Sequence, residues 1–304
     1  MRAADKQSGK DSFRTGWALA TLGFFQPEKK MKSIAATWLC RLATLMMLAS
    51  LALSAQAAAD QVIRVGVTSG PHAQIFEQAR RVFERDNPGY KIKIIEFNDY
   101  IQPNAALDAG ELDANSYQHR PFLNAQIKTR GYKLYAEGKT MIGPMAIYSR
   151  KYRKLEDVPV GARIGIPNDP ANESRVLLLL QKHGFIKLRA GIDPLTGTNA
   201  TPIDVSENPK KWKFVEIDAA QLPRTLDDLD ASAVNADYAA KAGLNPARDS
   251  LVVESGDSPY ACLIAVREKD RAQPWLGKLV QAYQSPEVKR YIETEFKGGI
   301  LAAW

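Results

Sequence analysis

The sequence predicts an α/β protein with two lobes, each a mostly parallel β-sheet flanked by helices. Short β-rich runs alternate along the chain with runs whose apolar residues recur at helical spacing, which is typical of this fold class. Connections rich in Gly, Pro and Ser at 143–149 and 250–258 separate two groups of such units. Two connecting strands between two lobes are typical of a hinge that closes over a cleft.

The first lobe opens with a strand, a helix and a second strand. Val62–Val67 predicts the first strand, and apolar residues three or four apart from Ile75 to Phe83 predict the helix. This helix ends at Asn87-Pro88-Gly89, and Lys91–Phe97 predicts the next strand. Because a helix separates the two strands, we expect them to pair in parallel.

The second lobe begins with a similar unit. Ala162–Ile166 predicts a strand, Asp169 an N-cap, and Pro170 the first turn of a helix that continues to Gly184. Strands are then predicted at 213–217, 230–234, 251–253 and 261–266, and closing helices at 274–283 and 286–296. The last strand and both closing helices are expected to return to the first lobe. The predicted boundaries are 58–146 with 252–304 for the first lobe, and 147–251 for the second.

Residues 1–57 are predicted to be an upstream extension followed by a signal peptide, with Met31 as the true start. Leu42–Leu53 is an uncharged apolar run, and Ala55-Gln56-Ala57 supplies the small residues of a cleavage site. Cys40 precedes the run, so it cannot be the lipid-accepting cysteine that would follow it. We therefore expect a soluble periplasmic protein after cleavage, with an N-terminal membrane anchor as the alternative.

Composition and charge exclude several classes of protein. The 304 residues are 45% apolar and 25% charged, as in ordinary globular proteins. Most of the net charge of +7 comes from residues 1–57, so the remaining chain is close to neutral and a nucleic-acid partner is not expected. The three histidines stand in no metal-binding spacing, and no nucleotide-binding or nucleophile motif is present. We therefore expect no metal, no cofactor and no enzymatic activity.

Two groups of residues favour recognition of a small molecule. In an extended segment, Asn115, Tyr117 and His119 would share one side, with Phe122 just beyond and Tyr100 from the preceding strand. Aromatic walls with a neutral imidazole suit a small amphiphilic ligand, although the same rings could simply be core residues.

In the second lobe, the helix that opens at Asp169-Pro170 would turn its free backbone N–H groups outward, close to Arg175. Together they could receive a carboxylate. The alternative is that Arg175 is a surface ion-pair partner. If it lies in the cleft rather than in the core, the fold should tolerate its removal.

At these segments the sequence resembles a known family. Six segments are similar, in order along the chain, to the methionine-binding proteins of bacterial ABC importers, the NlpA lipoprotein family. They are NDYIQPN, DANSYQHRPFL, IPNDPANESRVLLLLQKHGFIKL, QLPRTLDD, SPYACLIAVRE and the terminal GGILAAW. The resemblance runs from about Val62 to Trp304. It implies a monomeric, type II-like periplasmic binding protein that captures methionine or a related small amino acid and delivers it to a membrane permease.

The resemblance also implies roles for individual residues. Tyr100, Tyr117, His119 and Phe122 would form a cage around the ligand side chain, and Asn172, Arg175 and Asn235 would hold its carboxylate and amino ends. This chain departs from the family in two respects. No cysteine directly follows the apolar run, and Cys262 stands where methionine-binding members usually have Asn. Two alternatives therefore stay open: a binding protein for a different amino acid, and a periplasmic enzyme that uses His119 as a general base.

Overall fold

The computed structural model describes residues 60–304. The predicted leader, with Met31, Cys40 and the cleavage site, lies outside the described residues. Within residues 60–304, none of the helices combines the length and the apolar character needed to cross a membrane.

The first part of the chain alternates strands and helices. Its elements are β1 (Gln61–Thr68), α1 (Pro71–Asp86), β2 (Tyr90–Phe97), α2 (Gln102–Asp108), β3 (Ala114–His119), α3 (Arg120–Arg130), β4 (Leu134–Lys139), β5 (Met141–Ile142) and β6 (Ala146–Tyr148). The predicted opening strand, helix and strand are confirmed. Helices α2 and α3 were not predicted, and both begin with a proline in the first turn, where its missing N–H costs no hydrogen bond.

The middle of the chain contains β7 (Arg163–Pro167), α4 (Pro170–Lys182), β8 (Lys187–Leu188), β9 (Val205–Glu207), β10 (Lys213–Ile217) and β11 (Ala231–Val234). The chain ends with α5 (Ala236–Lys241), α6 (Pro246–Asp249), β12 (Ser250–Val253), β13 (Cys262–Arg267), α7 (Leu276–Tyr283), α8 (Pro286–Phe296) and β14 (Leu301–Ala302). Short 3₁₀ turns lie at 155–157, 202–204, 222–227 and 268–270. The predicted strands and closing helices are present, with ends that differ by one or two residues.

Two five-stranded sheets organise these elements, in the orders β2-β1-β3-β13-β4 and β10-β7-β11-β6-β12. In the first sheet β13 runs antiparallel to both neighbours, so the other four strands share one direction. In the second sheet β6 is the reversed strand in the same way. The predicted parallel pairing of β1 and β2 is confirmed, with Gln61 opposite Tyr90 and Thr68 opposite Phe97. Both sheets are therefore mostly parallel, as expected.

The closing helices pack beside the first sheet. Helix α1 buries Phe76 and Phe83 in a core that also contains Leu279 of α7 and Ile292 of α8. The rings of Phe76 and Tyr283 lie 5.8 Å apart between centroids. Burial of these large aliphatic and aromatic side chains makes the main favourable contribution to the free energy of folding for this part of the chain.

The chain passes between the two sheets twice. Strand β6 begins at Ala146 and strand β12 ends at Val253, and both belong to the second sheet. Sheet membership thus places residue 146 and residues 252–253 with the second sheet, whereas the predicted boundaries assigned them to the first lobe. We propose that the crossings lie at 143–145 and 254–261.

Candidate functional site

The eight residues that the sequence singled out all line one cavity. Its walls contain Tyr100, Tyr117, His119, Phe122, Asn172, Arg175, Asn235 and Cys262. The cavity holds about 410 Å³ of space between its atoms, including space open to solvent.

The topology explains why these residues meet. Strands β2, β3, β7 and β11 run parallel within their sheets, and each is followed by residues of the cavity wall. Tyr100 follows β2, His119 ends β3, Asn172 lies in α4 after β7, and Asn235 follows β11. Ligands of open α/β sheets bind beyond the carboxyl ends of parallel strands, which is where these four residues lie.

Four aromatic side chains form one wall of the cavity. The centroid of the Tyr100 ring lies 6.1 Å from that of Tyr117 and 6.0 Å from that of Phe122. His119 meets Phe122 edge to face at 6.2 Å. These separations and tilted orientations are favourable for aromatic pairs and leave ring faces available to an apolar ligand group.

The expectation that Asn115 would share this wall is wrong. The register of the β3–β13 pair shifts between Leu263 and Ile264, so that no residue of β13 lies directly opposite Tyr117. Such a bulge breaks the regular alternation of side chains along a strand. Asn115 instead donates to Asn104 Oδ1 at 2.9 Å, and Gln118 donates to the same oxygen at 2.7 Å, which forms a buried amide network behind the cavity.

Asn172 is the centre of a hydrogen-bond network on the opposite wall. Its Oδ1 accepts a hydrogen bond from Asn235 Nδ2 at 3.1 Å and lies 3.1 Å from His119 Nε2. Its Nδ2 donates to both carboxylate oxygens of Asp169, at 3.1 and 2.9 Å. The Asn172 amide therefore holds His119 and Asn235 in position and is itself held by Asp169.

His119 is neutral in this environment. Its Nδ1 accepts a hydrogen bond from the backbone N–H of Phe122 at 3.2 Å, so the ring proton lies on Nε2 and is donated to Asn172. Burial, with the positive charge of Arg175 nearby, lowers the pKa of His119 to about 3. Burial likewise lowers the pKa of His72, another cavity residue, to about 4. Both rings are uncharged at neutral pH.

The two buried histidines make stability depend on pH. Their pKa values are 6.5 when exposed, so between pH 6.5 and 5 the unfolded chain binds more protons than the folded chain. The free energy of unfolding then falls with falling pH, by up to about 1.4 kcal/mol per pH unit for each histidine. Glu173 acts in the opposite direction, because burial and the nearby Glu216 carboxylate raise its pKa to about 7.

We therefore expect the urea midpoint to fall between pH 6.5 and 5, and to fall more steeply in Glu173→Gln than in the wild type. Urea titrations followed by circular dichroism at several pH values measure both slopes. A midpoint that stays constant over this interval in both proteins would contradict the prediction.

Arg175 is buried and already has a protein partner. It is only 4% exposed, and its Nε lies 3.1 Å from both carboxylate oxygens of Glu254, which also pairs with Nη2. Nη2 donates to the backbone oxygen of Gly143 at 3.0 Å, and the guanidinium lies 4.5 Å from the ring centroid of Tyr260. Arg175 thus belongs to the cavity wall, as predicted, but its removal would leave a buried carboxylate unpaired. The expectation that the fold tolerates this removal is revised accordingly.

The N-terminus of α4 is not open, in contrast to the sequence-based expectation. The carboxylate of Asp169, the predicted N-cap, accepts a hydrogen bond from the backbone N–H of Asn172 at 2.9 Å. Aspartate stabilises a helix end in this way because it satisfies a free donor and complements the helix dipole. The cap that the sequence correctly predicts therefore occupies the place where a ligand carboxylate was expected.

The cavity wall also contains residues that the sequence analysis did not assign to it. They are His72, Gln118, Met141, Gly143, Ala236 and Asp237. Asp237 is a buried acid only two residues from Asn235, and no spacing motif distinguishes it from a solvent-facing aspartate. Among the described residues, no group of three or more His, Cys, Asp or Glu side chains is arranged to hold a metal ion.

Comparison with known proteins gives consistent matches. Residues 63–304 match the family model described as NlpA lipoprotein. The D-methionine-binding lipoprotein MetQ of Salmonella typhimurium is 45% identical over 244 residues, which are 80% of this chain and 88% of that protein. MetQ of Escherichia coli K12 matches with the same identity and coverage. A nutrient binding protein from Burkholderia cenocepacia, solved bound to methionine, is 53% identical with a TM-score of 0.76, over 80% of this chain and 100% of that one.

Proposed function

The chain belongs to the NlpA lipoprotein family, and from this premise we propose that it is the periplasmic solute-binding component of an ABC importer. The proposed ligand is methionine or a related small amino acid, captured when the two lobes close over the cleft. One observation carries the proposal: the seven residues that the family resemblance assigns to the ligand line a single cavity, together with Cys262. Relatives named for methionine binding support the choice of ligand.

Each wall of the cavity suits one part of this ligand. The rings of Tyr100, Tyr117 and Phe122 would pack against the thioether side chain, with His119 at the edge of the cage, since sulfur packs well against aromatic rings, at roughly 0.3–1.5 kcal/mol per contact. Arg175 would hold the carboxylate, while Asn172 and Asn235 would orient the two ends of the amino acid.

Cys262 would lie beside the amino-acid head. Burial raises the pKa of its thiol to about 12, so it carries a proton and bonds only weakly, at 3.8 Å from the backbone oxygen of Tyr117.

The geometry around His119 favours a receptor over an enzyme. A general base needs a free nitrogen and a pKa near the working pH. Both ring nitrogens of His119 are engaged in hydrogen bonds, and its pKa of about 3 makes it a poor base. The enzyme alternative therefore has little support from this side chain.

We also propose export to the periplasm through the predicted signal peptide, with a membrane permease as the partner, a monomeric state and no nucleic-acid partner. The relatives are named lipoproteins, whereas this sequence has no cysteine directly after the apolar run. N-terminal sequencing of periplasmic material distinguishes the two cases. A mature end near Ala58 supports a soluble protein, and a lipid-modified terminus would contradict it.

Ligand screening tests the proposed function. Native mass spectrometry of the purified protein should show a co-purified, unmodified amino acid, and thermal-shift measurements across the amino acids should show the largest stabilisation with methionine. A ligand at about a hundred times its Kd raises the free energy of unfolding by about 2.7 kcal/mol, which is readily measured. Stabilisation by glutamate or lysine but not by methionine would overturn the choice of ligand, and conversion of the ligand into a new product would support the enzyme alternative.

A further inference from the structure

The cavity contains a buried negative charge that the aromatic cage does not account for. Asp237 lies in α5, is 4% exposed and lines the same cavity as Arg175. The hydroxyl of Tyr100 donates to Asp237 Oδ1 at 2.5 Å. The other carboxylate oxygen, Oδ2, is buried and has no hydrogen-bond partner among the described residues. A buried carboxylate oxygen without a donor is costly, so this atom is suited to a donor from outside the protein.

Two neighbouring side chains also have a buried polar atom without a hydrogen-bond partner among the described residues. Asn235 uses its Nδ2 to reach Asn172, but its Oδ1 is buried and unpartnered within residues 60–304. His72 is 4% exposed, lines the cavity, and has an unpartnered Nδ1 among the described residues. In the tautomer that carries its proton on Nε2, this Nδ1 accepts a hydrogen bond. This part of the cavity therefore has an excess of acceptors over donors.

An amino acid carries the complementary group. Its ammonium has a positive charge and three N–H donors, which match the number of unpartnered side chains. We infer that Asp237 is the anionic partner of the ligand's ammonium group, and that Asn235 and His72 accept its remaining N–H bonds. This inference rests on the proposed function, because it takes the ligand to be an amino acid.

The assignment changes what the site selects for. The aromatic wall alone would accept any apolar group of suitable size, whereas Asp237 rejects ligands that lack a cationic amine. Arg175 and Asp237 line the same cavity, so the site offers a positive charge for the carboxylate of a zwitterionic amino acid and a negative charge for its ammonium group. The carboxylate of Asp237 lies next to the cage, because the hydroxyl of the cage residue Tyr100 contacts it directly.

The test compares methionine with 4-(methylthio)butanoate, which is methionine without its amino group, in wild type and in Asp237→Asn. Asparagine keeps the size of the side chain and an oxygen that accepts from Tyr100, but it removes the charge. In the wild type we expect methionine to bind at least about thirtyfold more tightly than the deaminated analogue, and in Asp237→Asn only a few-fold more tightly. Isothermal titration calorimetry gives all four affinities.

Asp227→Asn is the matched control, because it makes the same change of charge at a residue whose side chain is 62% exposed and pairs with Arg150 on the surface. This variant should keep the wild-type ratio of affinities. An Asp237→Asn protein that is folded by circular dichroism and keeps the wild-type ratio would overturn the inference and assign Asp237 a purely structural bond to Tyr100. Failure of the wild type itself to bind methionine would instead overturn the proposed function.

Discussion

Replacing Arg175 by alanine is expected to weaken methionine binding by roughly thirtyfold or more and to lower the free energy of unfolding by about 3–5 kcal/mol. The first effect follows from loss of the proposed carboxylate partner, and the second from Glu254, which is left buried without a counter-charge. Calorimetry measures the affinity and urea titration measures the stability. Neither effect is expected for Arg150→Ala, because that side chain is 61% exposed and its ion pair with Asp227 lies on the surface.

A second variant separates the two roles of Arg175. In Arg175→Ala combined with Glu254→Gln, neither position leaves a charge unpaired. The glutamine oxygen can accept from the Met145 N–H while its NH2 group donates to the Ser258 hydroxyl. We expect this double variant to regain much of the lost stability without regaining affinity. A folded Arg175→Ala protein with wild-type affinity would show that the guanidinium serves only the internal ion pair.

Asn172→Ala is expected to produce the second largest effect. The substitution removes the acceptor of His119 Nε2 and of Asn235 Nδ2, so two buried donors lose their partner. At about 1–3 kcal/mol for each unsatisfied group, the free energy of unfolding should fall by roughly 2–5 kcal/mol. Methionine affinity should fall at least about tenfold, because His119 and Asn235 are no longer held in position.

Unfolding and calorimetric titrations of Asn172→Ala are best compared with those of Asn124→Ala. The Asn124 amide makes one long hydrogen bond, 3.4 Å to Leu195 O, at the surface, so its removal should change neither quantity. Wild-type stability in Asn172→Ala would mean that His119 and Asn235 find other partners.

Much of the fold could be predicted because its signals are local. The alternation of Val62–Val67 with a helical run and a second β-rich run is enough to indicate a parallel unit. Asp169 before Pro170 likewise indicates a helix start that the structure contains. Helix α2 escaped prediction because it has only seven residues, and α3 because it begins at the residue after β3, with no loop between them.

The candidate site was predictable in its membership but not in its internal pairing. Family resemblance brought together residues as distant in sequence as Tyr100 and Cys262, and they do share one cavity. The pair Arg175–Glu254 spans 79 positions and Tyr100–Asp237 spans 137, and no periodicity links such positions. Which buried charge meets which partner depends on tertiary packing, which composition and spacing do not encode.

The order of strands in the first sheet has a consequence for how the chain folds. Strand β13 lies between β3 and β4, yet it follows β3 by more than a hundred residues, with the whole second sheet in between. The chain must close this long loop before β4 gains its neighbour in the sheet, and such non-local contacts slow folding. The first sheet therefore stays incomplete until residues 262–267 are available, and until then β4 has no strand of that sheet to pair with.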